Sequence, residues 1–107
     1  MSQPLERGRV YAAVLGTLGE KYYLVVSNNQ RNRNLDSVVA VRLTTSLKPP
    51  LPSIVALDPD RDGFQGHIVC DDIVEIFDDE VRRDLGAVSS QTMRSVEAGL
   101  RAALGLR

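Results

Sequence analysis

Leu24-Val25-Val26-Ser27-Asn28-Asn29-Gln30-Arg31-Asn32-Arg33, followed by Val38-Val39-Ala40-Val41-Arg42-Leu43-Thr44-Thr45-Ser46, decides the architecture of this chain. Both stretches begin with short apolar runs rich in β-branched residues, which suit a pleated strand. Between them, residues 28–36 form a polar, cationic stretch that reads as a loop. Each strand ends in groups able to hold a phosphate. Alternation puts Val39, Val41 and Leu43 on one face, read as the core, and Val38, Ala40, Arg42 and Thr44 on the other. On that second face the small Ala40 would leave room for a ligand, beside a guanidinium and a hydroxyl.

Working outward, residues 9–16 read as a strand, and Gly16-Thr17-Leu18-Gly19 supplies the turn into a second strand over 22–27. A third strand covers 37–45 and stops at Lys48-Pro49-Pro50-Leu51-Pro52, because proline cannot donate to a ladder. A fourth strand is expected over 54–57, a turn cluster over 58–63, and a fifth strand over 67–76. A short helical turn is expected around 79–85. The tail then changes period: Ser90 can cap a helix in which Met93, Val96, Leu100 and Leu104 recur at helical spacing, with Gly105 as its stop. Five strands followed by helices predict an α+β fold, mainly β. It should be a small, strongly bent antiparallel sheet or barrel with a C-terminal helix at its edge, in one domain over residues 1–107.

The 107 residues are 43% hydrophobic and 25% charged, an ordinary globular balance, and no segment approaches the roughly 18 consecutive apolar residues of a membrane helix. The first residues lack the basic start and apolar run of a secretory signal, and the single Cys70 cannot form an internal disulfide. A cytoplasmic location is expected. The net charge of −1 hides a division. Residues 1–48 carry seven Lys/Arg against three Asp/Glu, and 49–107 carry six against eleven, an asymmetry that suits an anionic ligand approaching the first half.

Several positions carry chemistry. Arg42 and Thr44 together can grip a phosphate, although a solvated strand face has the same pattern. In the fifth strand, strict alternation puts His67 and Asp71 on one side, the residue types that move protons in RNA cleavage; a surface histidine and a turn-proximal aspartate are the plain alternative. Lys21 stands at the mouth of the second strand, where a strand-end cation paired with Glu20 is the simpler reading. Asn28, Arg31, Asn32 and Arg33, with Thr45, Ser46 and Lys48 beyond the third strand, are candidates to bind unpaired RNA. Tyr11, Tyr22 and Tyr23 could stack on bases or simply pack. No Cys/His cluster suggests zinc, and no glycine-rich phosphate loop or nucleophile elbow appears. Asp58-Pro59-Asp60-Arg61-Asp62-Gly63 looks like a calcium loop but lacks the closing glutamate. No metal or cofactor is expected.

Arg7 to Tyr11, Lys21 to Asn28, Val38 to Ser46, Asp71 to Ile73 and Ser90 to Leu106 match, in order and spacing, the blocks of the MazF/PemK family of toxin endoribonucleases, and the chain resembles that family over nearly its whole length, as an actinobacterial-like variant. The resemblance implies a Src-homology-3-like barrel of the CcdB/MazF type. It further implies a homodimer, metal-independent cleavage of single-stranded RNA at short sequences, and a MazE-like antitoxin whose C-terminal segment covers the RNA groove. The family's catalytic threonine falls on Thr44, and the acidic proton-transfer residue of some members on Asp71. The family's arginine falls on Lys21 and the following proline on Tyr22, and the preceding loop is shortened. A lysine keeps the charge but loses the two-pronged grip, so Arg42 is expected as a substitute cation, an inference from strand parity alone. CcdB shares the fold and poisons gyrase without nuclease activity, so a gyrase-binding toxin and a catalytically silent RNA- or antitoxin-binding module stand as alternatives.

Overall fold

The computed structural model describes residues 4–107. Its strands are β1 (Arg9–Val14), β2 (Glu20–Val25), β3 (Ser37–Thr44), β4 (Ile54–Ala56), β5 (His67–Phe77) and β6 (Val81–Ala87). Its helices are α1 (Asn29–Asn34), α2 (Pro59–Asp62) and α3 (Ser90–Leu104), with a 3-10 turn at Asp78–Glu80. The strands form one antiparallel sheet in the order β4-β5-β3-β2-β1-β6.

The five expected strands are present, and a sixth replaces most of the helical turn expected over 79–85. Arg82, Arg83 and Asp84 are exposed on this edge strand, so its sequence has no apolar alternation, and its conformation is set by pairing with β1. The polar stretch after β2 contains α1, which has no apolar stripe. Asn28 caps it by accepting the Arg31 N–H at 2.8 Å, and the buried Asn32 docks it through Ser27. The turn cluster at 58–63 winds into α2. The C-terminal helix is capped by the Ser89 side chain, one residue before the expected Ser90, and ends at Gly105 with φ 69°.

The sheet has apolar cores on both faces, which corrects the reading of β3 as half open. Val41 and Leu43 join Val10, Leu24, Ile68 and Val96 beneath α3. Val38 and Ala40 are fully covered on the opposite face by Leu5, Tyr11, Tyr23 and Ile76. Ala40 therefore makes room for core side chains and not for a ligand. The helix lies close on its own face: a Cβ at Gly99 would stand 2.7 Å from Cys70 Sγ and 3.3 Å from Val55 Cγ2.

Candidate functional site

The pairing of β2 with β3 runs from Val25↔Ala40 to Tyr23↔Arg42 and stops there. Beyond that point β2 stays with β1, through Lys21↔Ala13, while β3 stays with β5, through Thr44↔His67. The two strands part, and a cleft of about 500 Å³ opens between them. Its walls are Glu20, Lys21 and Tyr22 at the start of β2, the segment from Arg42 to Ser46 at the end of β3, and Gly63, Phe64 and Gln65 from the loop before β5.

Cross-strand partners share a face of the sheet, so Tyr23, Arg42 and Val69 form one row and Thr44, His67 and Ala56 the next. Lys21, two residues before Tyr23, belongs to the same face. Lys21, Arg42 and Thr44 thus come together at the cleft, with His67 across the ladder from Thr44. The Thr44 hydroxyl accepts the Ser46 N–H at 3.1 Å, which leaves its own proton free to donate. Among the described residues, two buried side-chain polar atoms lack a hydrogen-bond partner: Arg42 Nε and His67 Nδ1. Arg42 Nε still has a carboxylate beside it, whereas His67 Nδ1 is left without a partner, which is uncommon for a buried polar atom.

A slip in the ladder explains the position of the acidic groups. Val41 pairs with Ile73 and Arg42 with Val69, so residues 70–72 bulge out of β5. Strict alternation fails there. Asp71 is turned to the Ser53 hydroxyl, 2.6 Å away, and is absent from the cleft, while Asp72 Oδ2 lies 2.9 Å from Arg42 Nε in an ion pair without hydrogen-bond alignment. The expected gathering of Asp71 with Lys21, Arg42 and Thr44 is thereby corrected; Asp72 meets the site through Arg42, and the carboxylate that lines the cleft itself is Glu20. Burial raises the Tyr23 phenol above its ordinary pKa, with Asp72 adding to the effect and Arg42 opposing it.

The loop wall is held from beneath. Asp62 accepts from the Ser89 N–H and the Thr92 hydroxyl, each at 2.9 Å, and from the Asp58 N–H at 3.2 Å. Burial alone would raise its carboxyl pKa, but these donors outweigh that and hold it below the usual value. Phe64 packs into the α3-side core. Gly66, at φ 98°, lies so close to Thr44 that any Cβ would overlap the Thr44 carbonyl oxygen. The end of β3 and the loop are thus fitted to one another.

The other expected residues lie elsewhere. Thr45 and Ser46 line the cleft, whereas half-buried Lys48 does not. Asn28 caps α1, Arg31 donates to the Ser37 carbonyl at 2.8 Å, and Asn32 is bonded to Ser27, so these three brace the fold. Arg33 borders a small hollow with Pro4, Leu5, Glu6 and Asn29. A second large cleft, about 600 Å³ between the N-terminal segment and β6, is lined by Tyr11 but by none of the residues expected to bind or cut RNA through charge or hydrogen bonds. Its cations are engaged: Arg9 with Asp84 at 3.1 Å, Arg83 with Glu20, and Arg82 with the Asp79 carbonyl at 2.8 Å. Among the described residues, no group of three or more His, Cys, Asp or Glu gathers to hold a metal, and no helix is long and apolar enough to cross a membrane. Sequence reading missed Asp72 and Gln65 as site residues, and named Tyr22 only as a ring that could stack on bases or pack. For Asp72 the only signal is its adjacency to Asp71, and for Gln65 there is none.

Comparison with known proteins shows which family the whole chain resembles. The chain is 44% identical over 106 residues to Endoribonuclease MazF1 of Mycobacterium bovis and, equally, to Endoribonuclease MazF4 of Mycobacterium tuberculosis, covering 99% of this chain and 97% of each relative. A solved mycobacterial endoribonuclease in complex with its cognate antitoxin superposes with a TM-score of 0.90 at 43% identity, over 96% of this chain and 97% of that one. Residues 6–104 match the family described as the PemK-like, MazF-like toxin of type II toxin–antitoxin systems. The chain belongs to that family.

Proposed function

We propose that this chain is a toxin endoribonuclease of the cytoplasm. It cuts single-stranded RNA without a metal, acts as a homodimer and is neutralised by a MazE-like antitoxin. The observation that carries the reading is the parting of β2 from β3, which opens a cleft with two cations and a free hydroxyl proton at its edge. In the reaction the 2′-oxygen attacks phosphorus and the bond to the 5′-oxygen breaks, leaving a 2′,3′-cyclic phosphate and a 5′-hydroxyl. Lys21 and Arg42 stabilise the charge on the pentavalent phosphorane, and Thr44 donates to a non-bridging oxygen. His67, across the ladder from Thr44, takes the 2′-hydroxyl proton and passes it to solvent, while water protonates the departing 5′-oxygen. Asp72 keeps Arg42 neutralised until the phosphate arrives.

Purified protein incubated with total RNA in EDTA tests this, with Lys21→Ala, Arg42→Ala and Thr44→Ala alongside. Removing one donor to a developing oxyanion typically costs about 10²- to 10³-fold in rate, and losses of that order are expected for each variant. Wild-type protein that leaves RNA intact, or Thr44→Ala that cuts at the wild-type rate, overturns the mechanism. Full activity in Arg42→Ala removes that residue from it.

A further inference from the structure

We infer that Tyr22 and Gln65 form the two walls of a slot for one unpaired RNA base beside the phosphate grip, Tyr22 as the stacking platform and Gln65 as the reader of the base edge; the inference rests on the ribonuclease reading. Tyr22 points to the opposite face of β2 from Lys21, the face that buries Leu24 completely. Continued pairing with β3 would cover it too. Because β3 has left, Tyr22 is 40% exposed and lines the cleft. Its hydroxyl stands beside Arg83, whose guanidinium is in turn held by Glu20. The ring is exposed at the mouth of the cleft, which is what a flat stacking surface requires.

Gln65 lines the cleft from the loop side. Its neighbours are fixed on both sides: Phe64 is set in the core and Gly66 is pressed on the Thr44 backbone, with buried Asp62 anchoring the start of the loop. An exposed amide on so rigid a support is positioned for selective hydrogen bonding, since it offers one donor and one acceptor to an unpaired base edge. The cleft volume lies within the roughly 300–1,000 Å³ of small-ligand sites. A nucleotide entering it would have its phosphate on the Lys21 and Thr44 side and its base between the two walls.

The test uses 2′-O-methyl oligonucleotides, which bind but cannot be cut, in an abasic scan read by fluorescence anisotropy. Wild-type protein should lose roughly ten- to hundred-fold in affinity when one particular base is removed. Tyr22→Leu, which keeps apolar bulk without a π face, should lose as much with the full oligonucleotide and be indifferent to the missing base. Tyr22→Phe should bind as wild type, with melting curves confirming that each variant is folded. On cleavable RNA, Gln65→Glu should move cutting toward guanine at that position, because a carboxylate accepts from both N1–H and N2–H of guanine. Wild-type affinity in Tyr22→Leu, or an unchanged pattern in Gln65→Glu, overturns the slot. If RNA is still cut in a Thr44-dependent way in those variants, the ribonuclease reading survives that failure. Wild-type protein that binds no oligonucleotide overturns both.

Discussion

Asp62 should be the most consequential polar residue outside the cleft. Its side chain is fully covered and accepts three hydrogen bonds, from Ser89 N, Thr92 Oγ1 and Asp58 N. Bonds to a charged acceptor are worth about 1.5–3 kcal/mol each, and the several kcal/mol cost of desolvating the carboxylate offsets part of their sum. Asp62→Ala removes both terms but also leaves the Ser89 and Asp58 N–H groups without their acceptor, for a net loss of about 3 kcal/mol. At roughly 4–8 °C per kcal/mol for a domain of about this size, Tm at pH 7 should fall by about 12–24 °C. The pH dependence follows from the depressed carboxyl pKa of Asp62. Stability from this group is present above the unfolded carboxyl value, near 3.9, and is lost as pH falls through the lower folded value. The Tm gap between wild type and Asp62→Asn should therefore hold steady from about pH 7 to 5 and narrow below about 4. Calorimetry across that range is the assay. A gap at pH 7 below about 3 °C, or one that widens in acid, refutes the argument.

Gly99→Ala pits a helix-propensity gain of about 1 kcal/mol against a Cβ placed 2.7 Å from Cys70 Sγ. Overpacking of this kind costs about 1–3 kcal/mol, so a lower urea midpoint is expected and an unchanged or higher one would be the wrong sign. Burial pushes the Cys70 thiol up to about 11, so alkylation at pH 8 should proceed only through unfolding and slow with every stabilising condition. Rapid labelling of the native protein would contradict the packing of α3. Arg42→Ala and Lys21→Ala should each flatten the salt dependence of 2′-O-methyl oligonucleotide binding, by about 0.7 in log K against log salt. Unchanged slopes would mean that these cations do not meet phosphates.

How far the chain could be read beforehand followed from where its structural information is local. Runs such as Val38 to Leu43 and Ile68 to Cys70 declare strands by their own side chains, and alternation alone put Arg42 and Thr44 on one face. β6 declares nothing, because its charged residues lie on a sheet edge and only β1 makes it a strand. α1 is similar, held by a cap and by docking of Asn32 instead of by an apolar stripe. The second core was hidden because it depends on Leu5 and Tyr11 crossing the far face of the sheet. Asp71 was misplaced because a three-residue slip cannot be seen in a pattern of period two. Gln65 reaches the cleft only through tertiary contacts of its neighbours.

The fit of Gly66 against Thr44 leaves the cleft vulnerable at a position that takes no part in chemistry. A cell that makes such a toxin without its neutraliser favours any lesion that silences it. Replacing Gly66 with alanine would shift the strand end bearing Thr44 while sparing every side chain assigned to bind or cut. Among survivors of unguarded expression, substitutions at codon 66 should therefore appear beside those at 21, 42 and 44, and their products should still fold.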